Sequence, residues 1–492
     1  MPVIPFGQYL PDLAALENPG SPTVLNVTPG PSGYRPMPDV AIVSASLTAR
    51  CQGASAFIDK AATVYNYAGD ATKLYQVTPT AVTQVGGSSA YSIASDDIWD
   101  SVQYGETAIF TDFADPVQFI SLGAASFTAL FTSSRQPKAR TVAVINEHVV
   151  VGMTNDTLSG VQPNRVWFSA QGDPRDMTPS AATLCDNQDL DAEGGWVRRI
   201  MGGFEYGLVF QEHAITRMTK TGGADIFQFS PIIKTRGLFG PAAIASIDRM
   251  VFFLSEDGFY LCDGVNVTPI GANKVDKTFF NALSASYYYR VSFAVDPVNK
   301  QLWVAYPSAS ATNGNPDKLL VYDWTLQQWA PGEQVVELLF RSNSLGYTLD
   351  GLDAVSASLD ALTPSLDSRF WTGGKVLLSG FNSSHRMVTF AGAALAATLE
   401  TGDVQLNPPL RSLVTSVRPI VDGGTLSMAL GTRNRPNDAI AYSAAVSQTA
   451  DGICPFAVDA RYHRARVSVA AGGTWTHAQG IDDIQAMPTG AF

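Results

Sequence analysis

The sequence predicts an all-β protein: a β-propeller-like domain of repeated antiparallel hairpins, a C-terminal β-sandwich-like module and an extended N-terminal arm. Apolar runs separated by tight turns recur up to residue 340, period-2 alternation appears near the C-terminus, and nine prolines fall between Pro2 and Pro38. We therefore divide the chain into an arm at 1–40, a propeller-like domain at 41–340, a connection or insertion at 341–370 and an antiparallel β module at 371–492. We allow this last module to share strands with the propeller.

The arm is too rich in proline and glycine to form a core of its own. Proline fixes φ and favours extended conformations in the residue before it. Such a segment becomes ordered by lying on another surface, where contacts offset the lost conformational entropy. We expect the arm to dock onto a neighbouring subunit, with Tyr9, Leu10, Tyr34 and Arg35 as candidate assembly residues.

Hairpins are predicted wherever two apolar runs flank a turn. Asp-Gly between such runs is a strong hairpin signal, because type I′ turns need positive φ. The predicted turns fall at Gly69-Asp70, Asp115-Pro116, Asn146-Glu147, 211–213, Asp257-Gly258, Asp263-Gly264 and Pro297–Lys300. Their spacing of about 40–55 residues is typical of four-stranded propeller blades. A two-sheet sandwich with long loops is the structural alternative.

The remaining elements are a helix, a connection and the C-terminal strands. Asp276 is a candidate N-cap for a short helix over Lys277–Ser286. The stretch Asn343–Asp367 is typical of a long exposed connection. Two alternating strands follow, Thr425–Leu430 and Arg464–Val469. In the second, we expect Ala465, Val467 and Val469 to face inward, with Arg464, Arg466 and Ser468 on a wet face.

Composition excludes several classes of protein. Of the 492 residues, 46% are apolar and 15% charged, against roughly 25% charged in an average domain. The net charge of −12 argues against gripping of phosphate backbones, which needs clustered Lys and Arg. No apolar stretch is long enough to predict a membrane span. The first ten residues do not resemble a secretory signal. We interpret Cys51, Cys185, Cys262 and Cys454, which form no pairs, as buried thiols.

One acidic cluster is a weak candidate metal site. Asp186, Asp189, Asp191 and Glu193 lie close together in sequence, and hard cations such as Ca²⁺ bind several carboxylates. EF-hand spacing is absent, and the following Gly194-Gly195 is typical of an exposed turn. We expect no metal here, and no cofactor, because the sequence contains neither a phosphate-binding loop nor paired zinc ligands.

Catalytic chemistry has few candidates. The five histidines are scattered, and none lies in a hydrolase or metalloprotease motif. A glycosidase would need two facing carboxylates. The nominal candidates are Asp96, Asp97 and Asp100, or alternatively the turn residues Asp257 and Asp263. For both sets we favour a structural role, as cap and turn residues, over a catalytic one. We therefore expect no catalytic residues and no enzyme activity.

Several short phrases, taken in order, carry a resemblance to a known family. They are Leu47–Gly53, Gly69–Tyr75, Asn164–Ser169 with Gly172–Pro174, Gln188–Leu190 with Gly194–Trp196, Ser255–Tyr260, Thr268–Asp276, Ala294–Lys300, Tyr462–Arg464, and Gly472–Trp475 with His477–Gln479. With these phrases the sequence resembles the tail nozzle proteins of short-tailed, podovirus-like bacteriophages, also called tail hub, tail tubular B or stabilisation-type proteins. Residues 341–405 match the family least.

The resemblance implies a structural virion protein that is made in the host cytoplasm and assembled into the tail. It implies a homohexameric tube below the portal and its adaptor ring, with propellers in the wall. Double-stranded DNA would pass through the bore without specific binding, and tail fibre, spike or needle proteins would attach to the tube. A neutral or acidic lining suits such transit, because Lys-rich walls would retain phosphates.

Two other functions remain open at this point. One is a receptor-binding or glycan-hydrolysing propeller at the tail tip, which would place aromatic platforms beside paired carboxylates. The other is a cellular propeller scaffold with no viral role. Neither is distinguished from the nozzle by composition alone.

Overall fold

The computed structural model describes residues 3–14, 18–87, 90–131, 136–221, 225–344, 356, 358, 371 and 374–490. The N-terminal part forms five strands. These are β1 (Ile4–Pro5), β2 (Val24–Leu25), β3 (Val27–Gly30), β4 (Gly33–Pro36) and β5 (Ala41–Ser46). Most of the predicted connection at 341–370 lies outside the described residues.

Six antiparallel sheets follow, each made of four consecutive strands. Blade 1 contains β6 (Gly53–Ile58), β7 (Val64–Gly69), β8 (Leu74–Val77) and β9 (Val82–Gln84). Blade 2 contains β10 (Asp100–Tyr104), β11 (Thr107–Thr111), β12 (Gln118–Ser121) and β13 (Thr128–Ala129). Blade 3 contains β14 (Lys138–Ile145), β15 (His148–Asp156), β16 (Gly160–Phe168) and β17 (Asp186–Asp189).

The next three sheets repeat this order. Blade 4 contains β18 (Val197–Met201), β19 (Tyr206–Gln211), β20 (Ile215–Lys220) and β21 (Phe227–Ile233). Blade 5 contains β22 (Ile244–Ile247), β23 (Met250–Ser255), β24 (Gly258–Cys262) and β25 (Val267–Pro269). Blade 6 contains β26 (Ser292–Asp296), β27 (Gln301–Tyr306), β28 (Lys318–Asp323) and β29 (Gln328–Glu333).

Blade 7 is built from two distant parts of the chain. Its strands are β30 (Leu338–Asn343), β31 (Val376–Phe381), β32 (Arg386–Thr389) and, on the outside, β5 from the N-terminal part. The boundary expected at residue 340 therefore falls inside β30, and residues 376–389 belong to the propeller sheet. A ring of sheets can use strands from both chain ends at its closure, which hairpin patterns alone do not reveal.

The first strands of the blades follow one another around a ring. β6 contacts β10, β10 contacts β14, β14 contacts β18, β22 contacts β26, β26 contacts β30, and β30 returns to β6. Between β18 and β22, Met201 and Ser246 line one shared cavity. The predicted all-β, propeller-like fold is thus confirmed, with seven four-stranded blades within the described ranges.

The C-terminal strands form the predicted sandwich, together with β1–β4. These strands are β33 (Ala397–Glu400), β34 (Arg411–Val421), β35 (Leu426–Arg433), β36 (Ala441–Tyr442), β37 (Val446–Ser447), β38 (Cys454–Ala460), β39 (Tyr462–Val469) and β40 (Ala478–Gly490). One sheet has the order β3-β4-β40-β34-β38, with β1 on β40. The other has the order β2-β33-β39-β35-β36, with β37 on β35. Apolar side chains of both sheets pack into one core with those of blades 4, 5 and 6.

The predicted hairpins are present, although two turns differ in detail. Gly69 belongs to β7 and pairs with Leu74, so the turn predicted at Gly69-Asp70 spans residues 70–73. Asn146 and Glu147 have φ of 46° and 67°, as a type I′ turn requires. At the turn predicted for Asp257-Gly258, Ser255 pairs with Gly258, so the turn residues are instead Glu256 and Asp257.

Helices are few and short among the described residues. They are α1 (Asp276–Ala282) and three 3₁₀ turns at Ala192–Gly194, Tyr288–Arg290 and Thr312–Gly314. No helix of the described chain is long and apolar enough to cross a membrane. The predicted cap was wrong. Asp276 is the first helical residue, and its carboxylate accepts the Phe259 N–H at 3.2 Å. Asp12 of the arm accepts the N–H groups of Lys277 and Thr278, each at 2.8 Å, and so caps the helix.

Candidate functional site: the central cavity of the propeller

Residues of β10, β14 and β18, together with Ser246 of β22, line an open cavity of about 590 Å³ on the inner side of the ring. Successive residues of β10, β14 and β18 line it, together with the hairpin tips that follow these strands. Tyr104, Asn146, Glu147 and Phe204 lie at the hairpin end, whereas Asp100 is the first residue of β10 and Arg199 the central residue of β18. The cavity thus combines charged and aromatic residues on the strands that form the inner side of the ring.

Asp100 ties three strands together at its end of the cavity. Its Oδ2 accepts the Thr141 hydroxyl at 2.6 Å and the Val142 N–H at 3.0 Å, both from β14. Its Oδ1 lies 2.7 Å from Nη2 of Arg199 on β18. These contacts satisfy the hydrogen-bonding capacity of a carboxylate that is buried from solvent. Asp100 therefore acts as a structural brace between blades 2, 3 and 4.

The other two aspartates of this predicted set do not form a catalytic pair with Asp100. Asp96 is exposed, and Asp97 is buried with its Oδ2 3.1 Å from Nη2 of Arg140. Burial raises the pKa of Asp97, and Arg140 acts in the opposite direction. Each buried carboxylate thus has its own arginine. General acid–base catalysis needs one group free to hold a proton and a second free to accept one.

The second predicted pair is separated by a whole strand. Asp257 precedes β24 and Asp263 follows it, so they lie at opposite ends of blade 5, roughly 15–20 Å apart for a strand of this length. Asp257 accepts Arg236 Nε and the Tyr260 hydroxyl, both at 2.9 Å. Asp263 accepts the N–H groups of Val265 and Asn266. Both are turn residues, which agrees with the structural role favoured from the sequence.

The aspartates of the predicted acidic cluster each contact a different partner instead of one another. Asp189 forms a two-point contact with Arg165, at 2.6 and 3.0 Å, which lowers the pKa of the carboxyl. Asp191 contacts Lys234 at 3.1 Å and accepts the Glu193 N–H, and Asp186 accepts the N–H of its neighbour Asn187. Within the described ranges, no group of three or more His, Cys, Asp or Glu residues could hold a metal ion. The structure does not bring Asp186, Asp189 and Asp191 together as a calcium site.

The histidines and cysteines occupy separate structural positions. Burial lowers the pKa of both His148 and His463, whose ring nitrogens contact backbone carbonyls. His385 contacts the buried Glu337 at 2.6 Å, and Glu337 also accepts the Cys51 N–H at the junction of blades 7 and 1. The four cysteines are free and buried, as predicted.

Within the described chain the arm packs on its own chain, and the assembly role expected for Tyr9, Leu10, Tyr34 and Arg35 stays a prediction. Tyr9 is 9% exposed and Tyr34 is 1% exposed. The Tyr34 hydroxyl donates to the Gly7 carbonyl at 2.8 Å, so the arm folds around this ring. Both tyrosine side chains thus contribute to the core of their own chain. Leu10 is half-buried, and Arg35 is exposed.

A buried ionic cluster replaces the wet face expected on β39. Ala465, Val467 and Val469 are buried as predicted, but Arg464 is buried too. Arg464 Nε lies 2.9 Å from Asp403, and Arg466 Nε lies 2.6 Å from Glu400, which is 1% exposed. The Tyr442 hydroxyl also donates to Glu400, at 2.9 Å, and Arg433 pairs with Asp403. The alternation was therefore correct, and the polar face is covered by ion pairs.

Several of these residues had no signal in the sequence. Asp12 lies 266 positions from Thr278, and Glu337 lies 286 positions from Cys51. Asn26 receives the Glu333 N–H at 2.8 Å and donates to the Ala396 carbonyl at 2.9 Å, joining the arm to blade 6 and the sandwich. Only a pattern linking distant positions would have indicated these contacts.

Fold and site together define a β-propeller-like protein with an attached β-sandwich. No protein-family model matches the chain, and no curated protein does. Among solved structures, it is similar to the computationally designed Ika8 protein (TM-score 0.36, 10% identity, 78% of this chain and 99% of that one). It is also similar to the extracellular domain of the putative one component system BT4673 from B. thetaiotaomicron (0.42, 10%, 84% and 47%) and to the Neurospora crassa Pan2 WD40 domain (0.41, 7%, 72% and 95%). The blade assignment depends on the strand pairing described above.

Proposed function

We propose that this chain is a structural virion protein, the tail nozzle or hub of a short-tailed bacteriophage. In this proposal six copies form a ring below the portal adaptor, through which the genome leaves. Tail fibre, spike or needle proteins attach to the ring. The chain acts by its shape and carries out no covalent chemistry. The ordered series of phrases shared with the nozzle family supports this proposal.

The observation that carries the proposal is where the shared phrases meet in space. Thr48 belongs to one phrase, and Asp70 and Tyr75 belong to the next. The Thr48 hydroxyl donates to Asp70 at 2.8 Å and lies 2.7 Å from the Tyr75 hydroxyl, which lies 2.9 Å from Asp70. These residues fasten the segment between β5 and β6, where the ring of blades closes. Segments whose residues hold the ring closed are consistent with a protein that has a structural function.

The size and charge of the central cavity bear on where DNA would pass. At about 590 Å³ the cavity has the volume of a small-ligand site, so a duplex does not fit inside one copy. The conduit of this proposal therefore lies between copies. Six chains at −12 each carry −72, which suits a wall that must release phosphates.

The test is the mass and shape of the purified full-length chain, alone and with the adaptor ring of its virus. We expect native mass spectrometry to give six copies, and particle images to show a ring with a central bore. A chain that stays monomeric at all concentrations and shows no affinity for the adaptor ring would contradict the proposal.

A further inference from the structure

The central cavity carries an unbalanced negative charge. The charged residues that line it are Asp100, Arg199 and Glu147. Asp100 and Arg199 neutralise each other at 2.7 Å. Glu147 is exposed and receives the Gln171 side-chain amide at 3.0 Å, and no cation pairs with it in the described part of the chain. A ligand that enters the cavity therefore meets a net charge of −1.

Two aromatic rings lie on the same rim as Glu147. Phe204 is 80% exposed, the highest value among the large apolar residues of the described structure, and it lines the cavity. Tyr104 is held by its hydroxyl, which donates to the Glu147 carbonyl at 3.3 Å. Burial, followed by the charges of Glu147 and Asp173, raises the pKa of the Tyr104 phenol, so two carboxylates act on this rim.

We propose that this cavity binds an alkylammonium group, held by the Glu147 carboxylate and the faces of Tyr104 and Phe204. A cation over an aromatic face gains about 0.5–2 kcal/mol, and a nearby carboxylate adds a direct ion pair. An anion would meet Glu147, and a neutral apolar ligand would leave that carboxylate without a partner. A volume of about 590 Å³ accommodates an aliphatic chain of several carbons. The proposal is independent of the proposed function.

Glu147, Tyr104 and Phe204 lie together at the hairpin end of the cavity. The Asp100–Arg199 pair spans the opposite end and joins blades 2 and 4 across β14. The Gln103 amide is also committed, since its Nε2 donates to the carbonyls of Ile58 and Gly105. The Glu147 carboxylate thus remains as the open charged group for a ligand. An alkylammonium could be a free polyamine or a lysine side chain of a protein partner.

Calorimetric titration of the full-length chain tests the proposal. The probes are putrescine, the lysine derivative N-acetyl-lysine amide, and the neutral diol of the same length as putrescine. We expect at least one ammonium probe to bind while the diol does not, and the tighter probe identifies the source as polyamine or protein lysine. Glu147→Gln should weaken binding about tenfold, and Phe204→Leu about threefold. The matched control is Glu256→Gln, the same charge change at a hairpin tip outside the cavity.

Two results would overturn the proposal. The first is binding of the diol as tight as that of putrescine, or no binding of either ammonium probe. The second is an equal effect of Glu147→Gln and Glu256→Gln, which would attribute binding to net charge alone. Both glutamates are exposed at turns, so these variants should fold.

Discussion

Blades 1 to 6 and the composite sheets differ in how their strands are drawn from the chain. Each of blades 1 to 6 uses four consecutive strands. Blade 7 and both sandwich sheets combine strands from the first 46 residues with strands after residue 337. Blades 1 to 6 depend on local turns, whereas blade 7 and the sandwich sheets depend on contacts between the two ends of the chain. Local hairpins close short loops at low entropic cost, whereas the composite sheets close loops of hundreds of residues.

This difference shows where stability is vulnerable. A substitution in the arm should loosen the composite sheets and leave blades 1 to 3 intact. Stability is then a property of each region rather than of the whole chain. The following predictions test this separation, in order of decreasing effect.

The largest effect is expected for Tyr34→Ala. Tyr34 is 1% exposed and its hydroxyl holds the Gly7 carbonyl, so its loss leaves a cavity under the arm. We expect a loss of about 4 kcal/mol in local stability. Hydrogen exchange resolved by strand should show faster exchange in β34 and β40 and unchanged exchange in blades 1 to 3. The control is Arg35→Ala, an exposed neighbour on the same strand. Uniformly faster exchange in all blades would remove the distinction between the two regions.

A second large effect is expected within the sandwich. Glu400→Ala leaves the buried Arg464 and the adjacent Arg466 without one of their carboxylates. Breaking a buried ion pair from one side costs about 3 kcal/mol, whereas replacing both partners by apolar groups costs less. In chemical denaturation, Glu400→Leu with Arg464→Met should therefore be more stable than Glu400→Ala. If the double variant is the weaker one, the cluster stabilises the sandwich through its charges.

The smallest effect is a pH dependence of stability that arises where Asp12 of the arm lies near Asp276 of the propeller. Burial, and then the nearby Asp12 and Asp257 carboxylates, raises the pKa of Asp276 from 3.8 to about 6. The folded state binds this proton more tightly than the unfolded state, so the stabilisation is complete below about pH 4 and is lost by about pH 6. Because Asp276 is partly exposed, we expect Asp276→Asn to gain only about 1 kcal/mol over the native chain above pH 6.

The measurement is the difference in unfolding free energy between the two proteins from pH 4 to pH 8. Asp451→Asn, at an exposed position, serves as the control and should show no such trend. In an Asp12→Asn background the gain should shrink, because one of the repelling carboxylates is gone. A difference that stays constant across this range would refute the raised pKa.

The sequence was informative wherever a few neighbouring residues decide the structure. Asn146 and Glu147 form a turn because the strands that flank them, β14 and β15, pair from the adjacent residues Ile145 and His148 onward. In β39, the alternation of apolar and polar residues correctly predicted that Val467 lies in the core. It was uninformative wherever a partner is hundreds of residues away. The capping of α1 by Asp12 and the pairing of β5 with β32 have no local signature. Candidate carboxylates such as Asp100 were recognisable, but the arginines that neutralise them were not.

The position of β5 has a consequence for biosynthesis. Residues 41–46 leave the ribosome early, and their partner strand β32 ends only at Thr389. At about 5–20 residues per second, translation of the intervening chain takes roughly 20–70 s. During that interval the nascent β5 has an unpaired edge, and β32 of a chain on the same polysome offers the same hydrogen bonds. The ratio of closed monomers to domain-swapped dimers should therefore rise as translation initiation is slowed.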